Sequence, residues 1–582
     1  MDQKKVMRSH SSPWRGLAAR RRWCQAAARP TTVLVIAVTV FAPLLLAVVL
    51  FGFRVTPSGA NSTWVSAGVR VVLKAVSDQG TGRGPLATVP DPSDRLLGGL
   101  LSPDFDESSC LSRYSAALYR RPSLHAVSSY LVSALHRYES LHRRCGPGTP
   151  AYARAVELLR ANASFATSSS SAAASGSSCS YAVWTPIEGL GNRILSITST
   201  FLYALLTDRV LLLHSSGDDL HGLFCEPFPG STWILPAADK DNKDDFPIRG
   251  IEKLTDWWHH DSLGSVLRRG EDPGVAPWLY VHLRHDYTKD NRDQQFFCDD
   301  MQAKLGTVPW LVFRSDNYFV PGLFLMPRHE AELGRMFPRR DVVFHHLGRY
   351  LFHPSNTVWG MVTRYHDSYF AKADERVGIQ VRRFYWAPIS TDDLFGQILN
   401  CTQREDILPG AAGGVPATAK GGSTAGGQPG KQKAVLVVSL HGEYSEKLRD
   451  LYHEHGAAGG EAVSVYQPTH LGSQRSGEQQ HNQKALAEMV LLSFSDAVVT
   501  SAVSTFGYVG QGLAGLRPWV LTSPVDKKAP ADTPCRRAAT IEPCFHAPLD
   551  YDCRAKAKGD AGRRVRHIRH CDDFPRGVQL VE

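Results

Sequence analysis

A glycine loop near the middle of the chain has the residue types that bind an anion. Gly189 and Gly191 lie between the aromatic, branched run SYAVWTP and a stretch whose apolar residues recur at helical spacing. Glycines allow a tight turn into a helix N-terminus, whose amide groups can receive a phosphate or a sugar hydroxyl. The sequence predicts Asn192 as the helix N-cap, with Arg193 beside it. An ordinary strand–loop–helix corner is the alternative, since short glycine motifs also arise by chance.

A second set of polar residues follows two apolar runs in the C-terminal half. Arg382 directly follows GIQV, and AVVTSAV is followed by Ser504, Thr505, Phe506, Gly507 and Tyr508. Ligands of doubly wound sheets bind beyond the carboxyl ends of the strands, so a nucleotide is expected against these residues. Arg382 can offer a bidentate fork to a diphosphate. An ion pair with Glu375 is the structural alternative for Arg382, and helix capping is the alternative for the two hydroxyl residues.

The elements around these residues alternate between strand and helix. After the strands 377–384 and 434–440, the patterns predict helices at 443–455, 482–496 and 505–515 with a strand between each pair. Continuous apolar runs of this kind are typical of parallel strands covered on both faces. Because another α/β unit begins at residue 180, we predict an α/β protein with two Rossmann-like, doubly wound domains that face a cleft.

The N-terminal 95 residues predict a membrane anchor. Residues 1–30 contain eight Lys and Arg residues against one Asp, or about +7 of the net charge of +9, so no concentrated basic face for nucleic acid remains elsewhere. The uncharged run 31–53 is long enough to span a bilayer, and a cleaved signal peptide is the competing interpretation. The basic cluster before it predicts a cytosolic tail and a type II topology. Residues 54–95 are expected to form a stem.

The remaining chain divides by composition. We expect an N-terminal helical extension with a Ser/Ala-rich linker at 96–178, a first Rossmann-like domain at 179–365 and a second at 366–535. A glycine-rich, flexible insert occupies 409–431 of the second domain, and a Cys-rich tail follows at 536–582.

Cysteine placement supports a lumenal location for everything after the anchor. Ten of the eleven cysteines follow residue 53, and an even number permits complete pairing into disulfides. Zinc is the alternative, but no CxxC pair occurs, and the connectivity cannot be inferred from the sequence. Three N-glycosylation sequons lie at Asn61, Asn162 and Asn400.

No metal site is predicted. The acidic pair of Asp104 and Asp106 lies outside either predicted Rossmann domain and is interpreted as a capped turn. His345 and His346 are adjacent, hence on opposite faces of any strand, and are interpreted as structural residues.

From about Asp94 to the C-terminus, the chain resembles the plant fucosyltransferases of the xyloglucan type. The shared blocks are LLSPDFDESSCLSRY, YESLHRRCGPGT, GLGNRILSITSTFLYALLTDRVLLL, FFCDDMQ, VPWLVFRSDNYFVPGLF, FHHLGRYLFHPSN, ADERVGIQVRRF, HNQKALAEM, STFGYVGQGLAGLRPWVL and EPCFHAPLDYDC. The resemblance implies a GT-B-like Golgi enzyme that transfers fucose from GDP-β-L-fucose to a galactose residue of a cell-wall glycan. An inverting, metal-independent transfer with an α1,2 product is implied, and GDP-fucose is then the donor substrate rather than a cofactor. The glycine-rich insert departs from this family's pattern.

The resemblance also implies roles for individual residues. Arg382 matches the family's strand-end arginine, and the residues of the glycine loop would contact the phosphates or the transferred sugar. Asp316 in FRSDNYFVP matches an acceptor-side block and is predicted to orient or deprotonate the incoming hydroxyl, directly or through water. Asp286 is the second candidate, and an Asp in SDN is equally common as a turn former.

Two other functions stay open from the sequence. A membrane-tethered glycan-binding protein could use the same fold without transfer, and a metal-dependent transferase of the GT-A type would need a divalent ion. Xyloglucan and arabinogalactan-protein acceptors present similar terminal galactose, so the acceptor is not decided. The oligomeric state cannot be inferred from the sequence, although stem-anchored Golgi enzymes often pair, so a homodimer stays open.

Overall fold

A computed structural model describes most of the chain after the predicted stem. The described residues are 94–164, 179–215, 220–236, 248, 250–289, 291–412, 430–530 and 532–582. They belong to one compact unit, Thr88–Glu582. The predicted anchor, Asn61, most of the stem and most of the glycine-rich insert lie outside the described residues. Within the described ranges, no helix has both the length and the apolar character needed to cross a membrane.

The first sheet contains four parallel strands, in the order β2-β1-β4-β3. Their bounds are β1 Ser180–Thr185, β2 Arg209–Leu213, β3 Trp278–His282 and β4 Trp310–Arg314. Apart from a residue at one end of β1, β3 and β4, every strand position is buried. This burial explains the continuous apolar runs, because helices cover both faces of a parallel sheet.

The second sheet contains six strands in the order β10-β9-β8-β5-β6-β7. Their bounds are β5 Glu375–Val381, β6 Gln432–Ser439, β7 Ala462–Tyr466, β8 Ala497–Ser501, β9 Trp519–Leu521 and β10 Cys535–Arg537. Only β10 is antiparallel. The strand order reverses between β5 and β8, as the predicted doubly wound topology requires, and in the first sheet it reverses between β1 and β4.

Helices surround and connect the two sheets. The α-helices are α1 Leu111–Ser115, α2 Ser129–Cys145, α3 Pro150–Ser164, α4 Leu190–Leu206, α5 Leu263–Arg268, α6 Asn291–Gln294, α7 Asp299–Leu305, α8 Val320–Phe324, α9 Glu330–Met336, α10 Val343–Leu351, α11 Asn356–Tyr369, α12 Thr391–Arg404, α13 Glu443–His455, α14 Gln479–Leu492 and α15 Thr505–Ala514. Short 3₁₀ turns are Glu107–Ser109, Ala116–Leu118, Ile251–Lys253, Pro273–Val275, Tyr287–Lys289, Gln295–Phe297, Pro327–His329, Arg340–Val342 and Ala561–Arg563. The three helices predicted in the C-terminal half are present within four residues of their expected bounds.

The C-terminal tail is part of the main core. It forms two small hairpins, from β11 Tyr551–Asp552 with β12 Ala557–Lys558 and from β13 Ile568–His570 with β14 Val578–Leu580. Phe545 and Val578 are buried in the same core as the first sheet. The tail therefore packs on the first half of the molecule.

Five disulfides confirm the prediction from the cysteine count. The pairs are Cys110–Cys225, Cys145–Cys179, Cys298–Cys553, Cys401–Cys535 and Cys544–Cys571. The third pair closes a loop of 255 residues and ties the C-terminal tail to the first half. Closing long loops restricts the unfolded chain, which stabilises the folded one.

One local prediction was wrong. The N-cap of α4 is Gly189, so Asn192 lies inside the helix; the glycine loop makes the turn, and no side chain caps it.

His345 and His346 lie in helix α10, where Phe344, Leu347 and Leu351 recur at helical spacing and bury one face. Both histidines are buried, and His345 Nδ1 lies 2.8 Å from the Gly512 carbonyl oxygen, which fits the structural role expected of them.

Two smaller expectations can be placed on the fold. The Asp106 side chain accepts a hydrogen bond from the Ser108 amide and caps a 3₁₀ turn, so the acidic pair near residue 105 is a capped turn as expected. Asn400 is exposed near the end of α12.

Candidate active site

A cavity of about 290 Å³ lies at the carboxyl ends of the strands. The loop after β1 contributes Gly189, and the first turn of α4 contributes Gly191 and Asn192. After β8, Ser504 and the first residues of α15 line the cavity. Arg382 enters from the end of β5. In both sheets these loops leave at the point where the strand order reverses, which is where open α/β sheets bind ligands.

The start of α4, after the first sheet's β1, approaches the start of α15, after the second sheet's β8, very closely at Gly191. A Cβ atom on this residue would lie 2.8 Å from the Thr505 carbonyl carbon, so no side chain fits there without moving the backbone. Next to it, the Thr505 hydroxyl donates to Asn192 Oδ1 at 3.0 Å, and Asn192 Nδ2 donates to the Asp316 carbonyl oxygen at 2.9 Å. Asn192 therefore joins the two halves of the site instead of capping its helix.

Two helix N-termini line the cavity, those of α4 and α15. Ser504 is the N-cap of α15, and its hydroxyl accepts a hydrogen bond from the Gly507 amide. Helix N-termini carry partial positive charge and open N–H donors. Together they make this region receptive to a diphosphate.

Each loop passes through a left-handed, non-glycine residue immediately before its helix cap. These residues are Glu188, with φ of 59°, and Val503, with φ of 62°. Such backbone is costly, most of all for a β-branched residue, and persists only when its surroundings enforce it. Arg193 Nε donates to the Glu188 carbonyl oxygen at 3.0 Å, and the Asp573 carboxylate accepts from the Val503 amide at 2.8 Å.

Arg382 is half-buried at the end of β5. Its guanidinium donates to Gln474 Oε1 at 3.0 Å, and no described carboxylate lies within ion-pair distance. Burial lowers its pKa from the ordinary arginine value. The expected alternative partner, Glu375, instead pairs with Lys433 at 3.0 Å, so a structural ion pair does not explain this arginine.

Asp316 follows β4 as expected but lies just outside the cavity lining. Its carboxylate accepts from the His285 amide at 2.8 Å, from Asn317 Nδ2 at 2.9 Å, and contacts His285 Nδ1 at 2.6 Å. This hydrogen bond raises the pKa of His285, whose ring is 62% exposed. Sequence reasoning did not single out His285, which is the solvent-facing half of the pair.

Asp286, the second candidate base, has a different partner. It contacts His282 Nε2 at 2.8 Å, and this hydrogen bond lowers the Asp286 pKa to about 2. The His282 ring is fully buried, whereas the His285 ring beside Asp316 is 62% exposed. The exposed ring favours Asp316 over Asp286 as the acid whose histidine partner can meet an acceptor.

The C-terminal tail supplies site residues that the sequence did not single out. His546 lines the cavity, and its Nε2 lies 3.1 Å from the Tyr508 hydroxyl, which donates to Asp573. Burial lowers the pKa of His546. The block EPCFHAPLDYDC contains His546, but nothing in its pattern separates a cavity residue from a residue of a disulfide-linked tail.

Among the described residues, one group of acidic and sulfur side chains lies close enough to hold a metal ion: Cys544, Cys571 and Asp573. The two cysteines form a disulfide, so neither can be a thiolate ligand. Asp573 is occupied by Val503 and Tyr508, as described above.

Most predicted donor-side residues meet in the cavity. Its lining includes Gly189, Gly191, Asn192, Arg382, Ser504, Thr505 and Phe506. The residues that lie behind the lining are Arg193, Asp316, Gly507 and Tyr508. They support the loops, and a direct contact of these four with a ligand stays a prediction.

Comparisons with known proteins agree with this arrangement. A family model described as xyloglucan fucosyltransferase matches residues 72–554. The galactoside 2-alpha-L-fucosyltransferase of Pisum sativum is 46% identical over 507 residues, covering 87% of this chain and 85% of that protein. The Arabidopsis thaliana protein of the same name is 47% identical over 491 residues, covering 84% and 83%.

One solved structure is similar over the whole of its own length. The structure of a mutant of Arabidopsis thaliana FUT1 in complex with GDP has a TM-score of 0.74 and 46% identity, and the match covers 84% of this chain and 100% of that chain. With a family model that covers most of the sequence and relatives of this identity, the chain belongs to the xyloglucan fucosyltransferase family.

Proposed function

We propose that this protein transfers L-fucose from GDP-β-L-fucose to O2 of a galactose residue in a cell-wall glycan. The observation that carries this function is the meeting of Arg382 and two helix N-termini at one cavity, between the switch points of two sheets. A similar chain binds GDP in its solved structure. Cationic and dipolar groups of this kind suit a diphosphate leaving group.

The reaction has two charge requirements, one at the leaving group and one at the attacking hydroxyl. Galactose O2 forms a bond to C1 of fucose, the bond from C1 to the β-phosphate oxygen breaks, and its electron pair leaves with GDP. The proton of the attacking hydroxyl passes to a base. Attack opposite the leaving group inverts C1 from β to α.

The residues of this site divide those requirements between the two sheets. Arg382 and the amides of α15 stabilise the charge on departing GDP, the role that a divalent ion has in metal-dependent transferases. On the opposite side, the buried Asp316 carboxylate orients His285 and draws the acceptor proton through it or through water. Only neutral His285 can accept a proton. Because the His285 pKa is raised, activity should fall as the pH drops below that raised pKa.

The full chain with GDP-fucose and galactosylated oligosaccharides tests this function, with and without a chelator. We expect GDP release and a fucosylated product whose linkage is α1,2, at a rate that the chelator leaves unchanged. Acceptor binding without GDP release would establish the glycan-binding alternative. Activity that disappears with the chelator and returns with a divalent ion would establish the metal-dependent alternative.

The acceptor is proposed to be xyloglucan or an arabinogalactan-protein. The family description and the shared galactose specificity of the named relatives support a cell-wall glycan. Rates with oligosaccharides from both glycans separate the two, and a ratio of kcat/KM values above tenfold would name the substrate.

The catalytic unit is proposed to lie in the Golgi lumen, anchored by residues 31–53 as a type II protein and paired as a homodimer. Five disulfides support an oxidising compartment. Protection of the C-terminus from protease in sealed Golgi vesicles tests the topology. A decrease in the protein's mass after glycosidase treatment tests whether the sequons are glycosylated. Sedimentation of the detergent-solubilised chain tests the dimer.

A further inference from the structure

A side groove of about 30 Å³ lies beside the main cavity, at the carboxyl ends of β5, β8 and β9. Its lining includes Trp386 after β5, Gln397 of α12 and Thr522 after β9. In the sheet, β8 and β9 lie on one side of β5, whereas β6, which borders the cavity, lies on the other. Arg382 and Phe384 line both spaces, so the side groove and the cavity meet at the end of β5.

An aromatic side chain forms an exposed wall of the side groove. Residues 384–387 make a tight turn directly after β5, in which the Ala387 amide donates to the Phe384 carbonyl oxygen at 3.2 Å. Trp386 is 51% exposed, and its ring stacks on the Phe384 ring with 4.9 Å between the two centroids. Stacking holds the indole plane in place. Because Phe384 also lines the cavity, one aromatic surface leads from the cavity to the side groove.

The inner wall of the side groove contains a hydrogen-bond acceptor without a donor. Gln397 is 2% exposed, and its Nε2 donates to the carbonyl oxygens of Thr522 and Pro534 at 2.8 Å and 2.7 Å. These two bonds use both amide hydrogens and fix the orientation of the side chain. Its Oε1 accepts from no described residue. A buried carbonyl oxygen of this kind is costly unless a group from outside the protein donates a hydrogen to it.

We propose that the side groove binds a sugar of the acceptor chain other than the galactose that receives fucose. This inference rests on the proposed function and adds a binding subsite for the acceptor. A pyranose ring has a face of C–H groups that packs on an aromatic ring, and hydroxyl groups at its edge that donate hydrogen bonds. The groove holds one hydroxyl or hydroxymethyl group but not a ring. The sugar ring therefore lies on Trp386, and one of its hydroxyl groups points toward Gln397 Oε1.

Two other interpretations of the exposed indole make different predictions. Single exposed aromatic residues are common on protein surfaces, and on that interpretation Trp386 has no function. A contact between two copies of this chain would also cover the indole. The connection to the cavity through Phe384 favours the acceptor, because the acceptor chain has to leave the same cavity in which its galactose reacts.

Acceptor length tests the proposal, because a single galactose in the cavity cannot also fill the side groove. Rates of the full chain are measured with methyl β-galactoside and with the galactosylated cell-wall oligosaccharide that wild type uses better. Trp386→Ala should raise KM for the oligosaccharide about tenfold through lost stacking, with kcat nearly unchanged. Its kcat/KM for methyl β-galactoside and its KM for GDP-fucose should equal the wild-type values. Trp386→Phe keeps an aromatic face and should restore most of the lost affinity.

The adjacent residue of the same turn is a matched control. Tyr385 is 96% exposed and does not line the side groove. Tyr385→Ala should therefore change KM for the oligosaccharide by less than about twofold.

An equal loss toward both acceptors in W386A, no loss toward either, or the same effect in Y385A would overturn the proposal. Slower sedimentation of W386A with an unchanged KM would overturn it too, and would assign the indole to a contact between two copies of the chain. If wild type fucosylates both acceptors but W386A shows no dependence on acceptor length, only the role of the side groove fails. If wild type transfers fucose to neither acceptor, the proposed transferase function fails with it.

Discussion

The two sides of the cavity use their polar groups differently. On the second-sheet side, the Arg382 guanidinium donates to one amide oxygen and lies 5.9 Å from the centre of the Phe384 ring. On the first-sheet side, the Asp316 carboxylate has three contacts, and its backbone carbonyl accepts from Asn192. A polar group with unused capacity costs energy unless a ligand completes it, whereas a saturated group fixes geometry. The difference indicates that the second sheet binds the donor and that the first sheet organises the attack.

Replacing the arginine should have the largest effect. Arg382→Ala removes the one arginine or lysine among the described residues that line the cavity, so kcat should fall at least about 1,000-fold, because stabilisation of the leaving diphosphate is lost. Arg382→Lys retains the positive charge without the bidentate fork, so its kcat should lie between those of wild type and Arg382→Ala. Rates measured at saturating GDP-fucose check the order.

The neighbouring arginine is a matched control for this substitution. Arg383 is exposed, and its guanidinium donates to the Thr391 hydroxyl at 3.4 Å, away from the cavity. Arg383→Ala should leave kcat within about threefold of wild type. A rate for the Arg382 variant close to that of the Arg383 variant would show that the donor side does not depend on this cation.

Asp316→Asn should have the next largest effect, and on a different step. We expect a loss of about 100-fold in kcat with GDP affinity nearly unchanged, since the residue acts on the acceptor proton. The pKa of His285, followed by NMR, should fall toward its ordinary value of 6.5 in the variant. In wild type, the pair stabilises the fold below about pH 6.5, and this contribution is lost as pH rises through the raised pKa.

Asp286→Asn distinguishes the two candidate bases. Because Asp286 is already paired with His282 and has a pKa of about 2, the variant should keep kcat within about fivefold of wild type. A larger loss of kcat in Asp286→Asn than in Asp316→Asn would identify Asp286 as the base. It would also contradict the difference between the two sides of the cavity.

Asp573→Asn should have a smaller effect, of about tenfold in KM for GDP-fucose. Asp573 holds the left-handed backbone of Val503 and the hydroxyl of Tyr508, so its loss should loosen the phosphate loop without removing a ligand contact. Asp572→Asn is the control, because Asp572 is exposed and accepts from the Ala539 amide instead. Equal KM values for the two variants would contradict a supporting role for Asp573.

The sequence predicted the donor-side residues better than the residues that hold them in place. Strand patterns located Arg382 and Ser504 correctly, because parallel strands bury both faces and their ends define the binding edge. The function of Asn192 was missed because its partners are Thr505 and Asp316, which are distant in sequence.

The tail residues show why the rest could not be predicted. Asp573 and His546 reach the site only because the tail packs on the first half, where Cys298 pairs with Cys553. A disulfide pairing cannot be inferred from cysteine spacing, so the position of everything attached to it stayed unknown.

The smallest expected effect concerns an acid on the saturated side. Glu542 is buried, accepts from the Tyr318 hydroxyl at 2.6 Å and from the Phe344 amide at 2.8 Å, and lies outside the cavity lining. Burial raises its pKa to about 8 from an ordinary value of 4.5. Since the folded protein holds this proton more tightly, its contribution to stability is full below pH 4.5 and declines as pH rises toward 8.

Glu542→Gln imitates the protonated acid, because its amide can donate to the Tyr318 oxygen while its carbonyl accepts from the Phe344 amide. The variant should lack this decline and gain up to about 2 kcal/mol over wild type between pH 6 and pH 8, measured by denaturant unfolding. Its kcat should be unchanged, because the group touches no part of the cavity. Parallel pH curves for the two proteins would contradict the assignment, whereas a change in kcat would show that saturated acids of the first-sheet side also act in the reaction.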